Sequence, residues 1–177
     1  MVSSLITFPT FGTNLKVGEA FDITVKMRGL SAGVFTNPDL TYYAAPQQLD
    51  GNGQILGHTH VTIQLLDAPD TQNVPDPDKF EFFKGINDAG NRGVLKASVS
   101  NGLPIAGTYR VCTMSSAGNH QPLLMPVAQR GAQDDCVRFT VGGGNNGGGN
   151  GGDNGGDNGG DTGGNNRQRG RSIAWKA

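Results

Sequence analysis

The sequence predicts an all-β fold, an antiparallel β-sandwich of immunoglobulin-like or jelly-roll-like kind, followed by a disordered C-terminal tail rich in Gly, Asn and Asp. Three observations predict it. Short stretches of alternating apolar and polar residues recur through the first 141 positions, which is the period of a strand with one buried face. Gly, Pro and Asn punctuate these stretches every 10 to 25 residues. No segment sustains a helical period, and strands that succeed one another without intervening helices pair antiparallel.

The first clear element is Phe21-Asp22-Ile23-Thr24-Val25-Lys26-Met27-Arg28, which alternates over eight residues. Residues 29 to 56 then carry the turn signals Asn37-Pro38-Asp39 and Asp50-Gly51-Asn52-Gly53, so they read as a long connection. Loops of that length pack as ordered excursions or carry function. Tyr42, Tyr43 and Gln47 are the candidate binding residues of this one.

Gly57-His58-Thr59-His60-Val61-Thr62-Ile63-Gln64-Leu65-Leu66 is the central strand. Alternation puts His58, His60, Thr62 and Gln64 on one face and Thr59, Val61, Ile63 and Leu65 on the other. Asp67 to Asp78 is a loop rich in Pro and Asp, and Phe80-Glu81-Phe82-Phe83-Lys84 is an aromatic segment. Gly93 to Val99 reads as a strand with Leu95, Ala97 and Val99 on one side. Two late strands follow, one with Tyr109 and Val111 inward, and Cys136 to Val141 with Val137, Phe139 and Val141 inward. The predicted core joins Phe21, Ile23, Val25, Val61, Ile63, Leu65, Tyr109, Val111, Val137 and Phe139.

Composition sets the domain boundaries. Fifteen of the 29 glycines lie from Gly142 onward, which predicts a sandwich domain at 1–141, a flexible linker at 142–166 and a short basic tail at 167–177. A net charge of -1 lacks the basic field of a nucleic-acid surface. No apolar run is long enough for a membrane-spanning helix. The residues before Phe8-Pro9 contain no secretion signal, and the chain holds no Asn-x-Ser/Thr acceptor.

Cys112 and Cys136 permit one intramolecular bridge. Both fall on the outer faces of their strands, where neighbours in one sheet can pair; closing a loop of that length adds about 3 kcal/mol on the loop-entropy model. Two unconnected thiols in a reducing compartment are the alternative.

His58-x-His60 places two imidazoles on one strand face about 7 Å apart at Cα, and His120 can supply a third from a neighbouring loop. Three His donors are the set of a catalytic zinc site, and similar sets bind copper. Asp134 and Asp135 are candidates to back the imidazoles with carboxylates. The competing reading is a purely structural cluster of hydrogen-bonded histidines. Ser115-Ser116 lies near His120, but the Gly-x-Ser-x-Gly elbow of a hydrolase is missing, and catalytic residues stay unassigned.

Several motifs occur together and in order: Tyr43-Ala44-Ala45-Pro46-Gln47-Gln48-Leu49, Gly57-His58-Thr59-His60-Val61, Phe80-Glu81-Phe82-Phe83-Lys84-Gly85, Gly102-Leu103-Pro104, Asn119-His120-Gln121-Pro122, and Val127-Ala128-Gln129 with Asp134-Asp135 before Phe139-Thr140-Val141. Over most of residues 5 to 141 the chain thereby resembles a family of fungal secreted β-rich proteins of unassigned activity. Some members carry a ribosomal-protein label, which this chain's charge does not support. Members usually have a secretion signal and a further segment ahead of the Phe-Pro motif, so the resemblance implies a truncated gene model or an internal fragment. Where the family often has His in an Ala-Gln-His-Gly turn, this chain has Arg130; His58, His60 and His120 match. The resemblance implies an extracellular or cell-wall location. With the bridge and the missing catalytic set, it leads to a non-enzymatic protein that binds a cell-wall glycan or an extracellular protein. The alternative expectation is an extracellular protein that binds Zn or Cu through the three histidines.

Overall fold

The computed structural model describes residues 1–143. The expected linker beyond Gly143 and the basic tail at 167–177 lie outside the described residues. Within them the fold is all-β, with one helical turn, and its two sheets are built mainly from antiparallel pairs.

The smaller sheet has the order β1-β3-β7, with β1 at Ser3–Phe8, β3 at Phe21–Arg28 and β7 at Val94–Val99. Alternation in β3 turns Ile23, Val25 and Met27 inward, and in β7 it does the same for Leu95, Ala97 and Val99. The larger sheet has the order β2 (Asn14–Leu15), β9 (Cys136–Val141), β8 (Gly107–Ala117), β5 (Ile55–Leu66), β4 (Leu30–Ala32), with β6 (Phe82–Ile86) also paired to β5. Its long members are β5 at Ile55–Leu66 and β8 at Gly107–Ala117, antiparallel from Gly57↔Ala117 to Leu66↔Thr108. Strand β9, Cys136–Val141, continues the sheet beyond β8.

One apolar core joins the two sheets. Ile23, Val25, Leu95 and Val99 from the smaller meet Val61, Ile63, Tyr109, Val111 and Phe139 from the larger. Tyr109 is fully buried, stacks on Phe139 with centroids 5.8 Å apart, and donates its hydroxyl to Ile105 O at 2.7 Å, so its one polar group is satisfied.

The structure corrects the expected core at Leu65, which is 37% exposed. Its parity is inward, but it lies over Gly107 at the rim of the sheet, where a Cβ on that glycine would come within 2.8 Å of Leu65 Cδ1. Leu66 is buried too, but on the opposite face of the sheet and outside this core. Phe21 and Val137 are only half-buried against the core.

The expectation of purely antiparallel pairing is corrected by two short parallel pairs. Strand β2, Asn14–Leu15, runs parallel to β9, and β4, Leu30–Ala32, runs parallel to β5. Runs of two or three residues have no measurable period, so the sequence shows them only as connection. The aromatic segment also becomes a strand, β6 at Phe82–Ile86, which pairs with β5. Between β4 and β5 the chain makes the helical turn α1, Pro38–Thr41, where Pro38 starts the turn and the Asn37 side chain accepts from Asp39 N. Cys112 and Cys136 are direct cross-strand partners in β8 and β9 and form a disulfide.

Candidate metal centre

Strand parity builds two-thirds of the centre. His58 and His60 leave β5 on the outer face of the larger sheet, opposite Ser116 and Met114 of β8. Gly57 ahead of them is required by close packing: a Cβ there would lie 2.1 Å from Ser116 O. The third imidazole comes from the tight turn after β8, closed by His120 N donating to Ala117 O and Ala117 N donating to Gln121 O, both at 2.9 Å. His120 itself has φ +69°, a left-handed conformation that a non-glycine residue holds only when its surroundings enforce it.

The surroundings are the segment after β4. Its Val34 N donates to Gly57 O and its Thr36 N to Gly118 O, at 3.0 and 2.8 Å, laying it alongside β5 and the turn. Farther on, Tyr43 N donates to Asn119 O at 3.0 Å, and the buried Asn119 amide donates back to Ala45 O. Tyr43 also has a left-handed backbone, with φ +56°.

The three imidazoles converge. His58 Nε2 lies 3.2 Å from His60 Nε2 and 3.1 Å from His120 Nδ1, and the ligand atoms of all three fall within 4.8 Å of one another. The other nitrogen of each ring meets a backbone carbonyl: His58 Nδ1 with Val34 O at 3.2 Å, His60 Nδ1 with Met114 O at 3.0 Å, His120 Nε2 with Thr36 O at 2.8 Å. A carbonyl only accepts, so each of those nitrogens carries the ring's proton.

Each imidazole also supports one aromatic ring. Phe35 meets the edge of His58 at 6.1 Å, Phe83 stacks on His60 at 5.3 Å, and Tyr42 stacks on His120 at 6.0 Å. His58 is fully buried, whereas His60 and His120 are half-buried. Burial pushes the His58 pKa down to about 4, His60 and His120 push the same way, and the Val34 carbonyl opposes them. His60 is lowered as well, chiefly by burial.

The acids expected beside the histidines are elsewhere. Asp134 Oδ1 accepts from Thr113 Oγ1 and Ser115 N at 3.0 and 2.9 Å, and Asp135 Oδ2 accepts from Ile6 N at 2.8 Å. Thr113 faces the inner side of the sheet, paired with the buried Val61, so this network lies across the sheet from the imidazoles. In the candidate binding loop, Tyr42 and Tyr43 stack at 4.3 Å and stay half exposed. Gln47 is engaged within the chain: its amide pairs with both backbone groups of Leu124, at 3.0 and 2.9 Å. Sequence reading missed Phe35 and Phe83. For Phe83 a signal existed, since its strand alternates Phe82 toward the core and Phe83 away from it.

Residues 4–142 match the family model described as the CLU5d N-terminal domain. Over 145 residues the chain is 59% identical to pathogenicity cluster 5 protein d of Colletotrichum graminicola (strain M1.001 / M2 / FGSC 10212), an alignment covering 81% of this chain and 30% of that protein. The chain therefore spans less than a third of the length of this curated relative. No solved structure matches it.

Proposed function

The chain belongs to the CLU5d N-terminal domain family, and from that premise we propose that the domain described here is an extracellular metal-binding module holding one zinc or copper ion between His58, His60 and His120. One observation carries the reading. A neutral imidazole has a single N–H, and all three rings direct theirs at backbone carbonyls. His58 Nε2, His60 Nε2 and His120 Nδ1 therefore present bare lone pairs to one another at close range. Lone pairs do not bond one another, and what satisfies all three at once is a shared cation. A proton serves at most one pair, and the burial that lowers His58 opposes it.

A metal fits the same spacing. Two nitrogens about 2.0 to 2.1 Å from a tetrahedral zinc lie about 3.3 Å apart, close to the two distances of 3.1 and 3.2 Å from His58 Nε2. Carbonyl acceptors on the outer nitrogens are what fixes the tautomer and orientation of metal-bound imidazoles. With no thiolate in the set, imidazole donors favour zinc or copper. The disulfide supports an extracellular or cell-wall location, since such bonds persist in oxidising compartments.

A second reading has its own observation. The stacked, half-exposed Tyr42 and Tyr43 form a surface suited to a cell-wall glycan or an extracellular protein, with Gln47 fixing the loop from behind. Within the fold, we read the two sheets as an immunoglobulin-like sandwich, on the strength of the Tyr109 hydroxyl reaching back to Ile105 O.

Metal analysis of the purified chain tests the main reading. We expect about one equivalent of zinc or copper per chain, and a His58→Ala, His60→Ala variant with almost none. Equal content in the two proteins would leave the histidines a structural role only.

A further inference from the structure

We propose that the metal takes its next donor from an aryl anion, a carboxylate or phenolate oxygen carried on an aromatic ring, and that the ring lies in the groove beside the centre, on the outer face of β5 and β8. The inference rests on the metal reading above.

Charge selects the donor. All three imidazoles enter the centre neutral, and every partner of their outer nitrogens is an uncharged carbonyl. The nearest acids expected from sequence, Asp134 and Asp135, hydrogen-bond on the inner side of the sheet. A divalent cation held there keeps its full charge in a partly buried site, and an anionic oxygen is the donor that offsets it.

The groove selects the rest of the ligand. It has a volume of about 490 Å³, and Phe83 and Met114 line the end beside the centre. These are the residues whose ring stacks on His60 and whose carbonyl accepts from it. Val74, Pro75 and Phe80 continue the lining with apolar surface, and Arg110 stands at the other end. Arg110 is four residues from Met114 on the same strand, about 13 Å along it. Opposite Arg110 in register stands a second arginine, Arg138, and neither forms an ion pair among the described residues. Thr62 and Gln64 also line it, and Gln64 Oε1 accepts from Arg110 at 2.6 Å; the groove is thus mainly apolar, with positive charge at both ends once the metal is bound. A flat apolar body with a negative donor matches it; a neutral sugar chain matches only its aromatic part.

The test uses the full chain loaded with Cu²⁺ and follows the copper EPR and visible spectra during titration with benzoate, acetate and cellohexaose. Benzoate is expected to perturb the copper signal at about tenfold lower concentration than acetate, since stacking on Phe83 adds to the shared carboxylate. Phe83→Ala is expected to keep one copper per chain and to bring benzoate within about twofold of acetate. Three outcomes overturn the proposal: no preference for benzoate, a preference unchanged in Phe83→Ala, or a copper signal that responds to cellohexaose and not to benzoate. A wild-type chain that takes up no copper or zinc overturns it together with the metal reading, and the copper stoichiometry separates that case from the others.

Discussion

Strands β5 and β8 carry a polar cluster on each face, and the two are built on opposite principles. On the inner face Thr113 Oγ1 donates to Asp134, accepts from Asp135 N, and both carboxylates take backbone amides besides. Every donor there meets an acceptor inside the chain. On the outer face three imidazoles direct their protons at carbonyls and their lone pairs at each other. Both clusters fix loops to the sheet, so neither burial nor hydrogen-bond count separates them. The balance of donors and acceptors does: the inner set is complete, whereas the outer set turns three acceptor nitrogens toward one another, the arrangement on which the metal proposal rests.

The largest effect should come from breaking the outer set. His58→Ala with His60→Ala removes two of three donors, and zinc affinity by calorimetric titration is expected to fall at least about a hundredfold, beyond what loss of an outer hydrogen-bond partner costs. Asp134→Ala should leave zinc affinity within about twofold. It instead lowers unfolding stability in urea by about 1.5 to 3 kcal/mol, the range for hydrogen bonds to a charged group. If Asp134→Ala abolished zinc binding, or the double His variant left it intact, the division between the faces would be wrong.

Much of this division was legible in the sequence. Period-2 parity placed His58 and His60 away from Val61 and Ile63, and set Cys112 and Cys136 outward where they pair. Parity says which way a side chain leaves its strand, but not what a distant loop lays over it. Val34 and Thr36 supply two of the three carbonyls through their backbones, and no side-chain type encodes that. Asp134 and Asp135 are candidates from sequence to back the histidines, but the inward-facing Thr113 takes Asp134 instead. Leu65 had the right parity, but a rim position depends on how far the opposite sheet extends.

A smaller effect follows from pH on the metal-free protein. The folded His58 is lowered to about 4, against an ordinary value of 6.5. Above about pH 6.5 the ring is neutral in both states and its contribution to stability is full. Below that the unfolded chain takes the proton first, so stability falls with pH until the folded ring also protonates near pH 4. The loss expected is on the order of 1 to 2 kcal/mol, less than the whole shift implies because water reaches the half-buried His60 and His120 beside it. Urea titrations at pH 7 and pH 4.5 measure it, and NMR should place the His58 midpoint near 4. A midpoint near 6.5 would mean that the outer cluster accepts a proton readily and needs no metal to complete it.

The smallest effect tests how the outer set is held. Gln47 touches no imidazole, but its amide grips both backbone groups of Leu124, tying the segment that carries Tyr42 and Tyr43 to the chain just beyond His120. Two further bonds, from Tyr43 N to Asn119 O and from the Asn119 amide to Ala45 O, do the same work closer to the turn. Gln47→Ala therefore removes one of several ties, and since both groups it frees on Leu124 are exposed to water, the stability cost should be about 0.5 to 1 kcal/mol. Because His120 holds a left-handed backbone that its surroundings must enforce, part of that loss should appear at the metal, as a two- to fivefold weaker zinc affinity. His58 and His60 stand on a strand and do not depend on the tie. A variant with lowered stability and unchanged affinity would show that the turn keeps His120 in place by itself, and that the loop of Tyr42 and Tyr43 is separate from the centre.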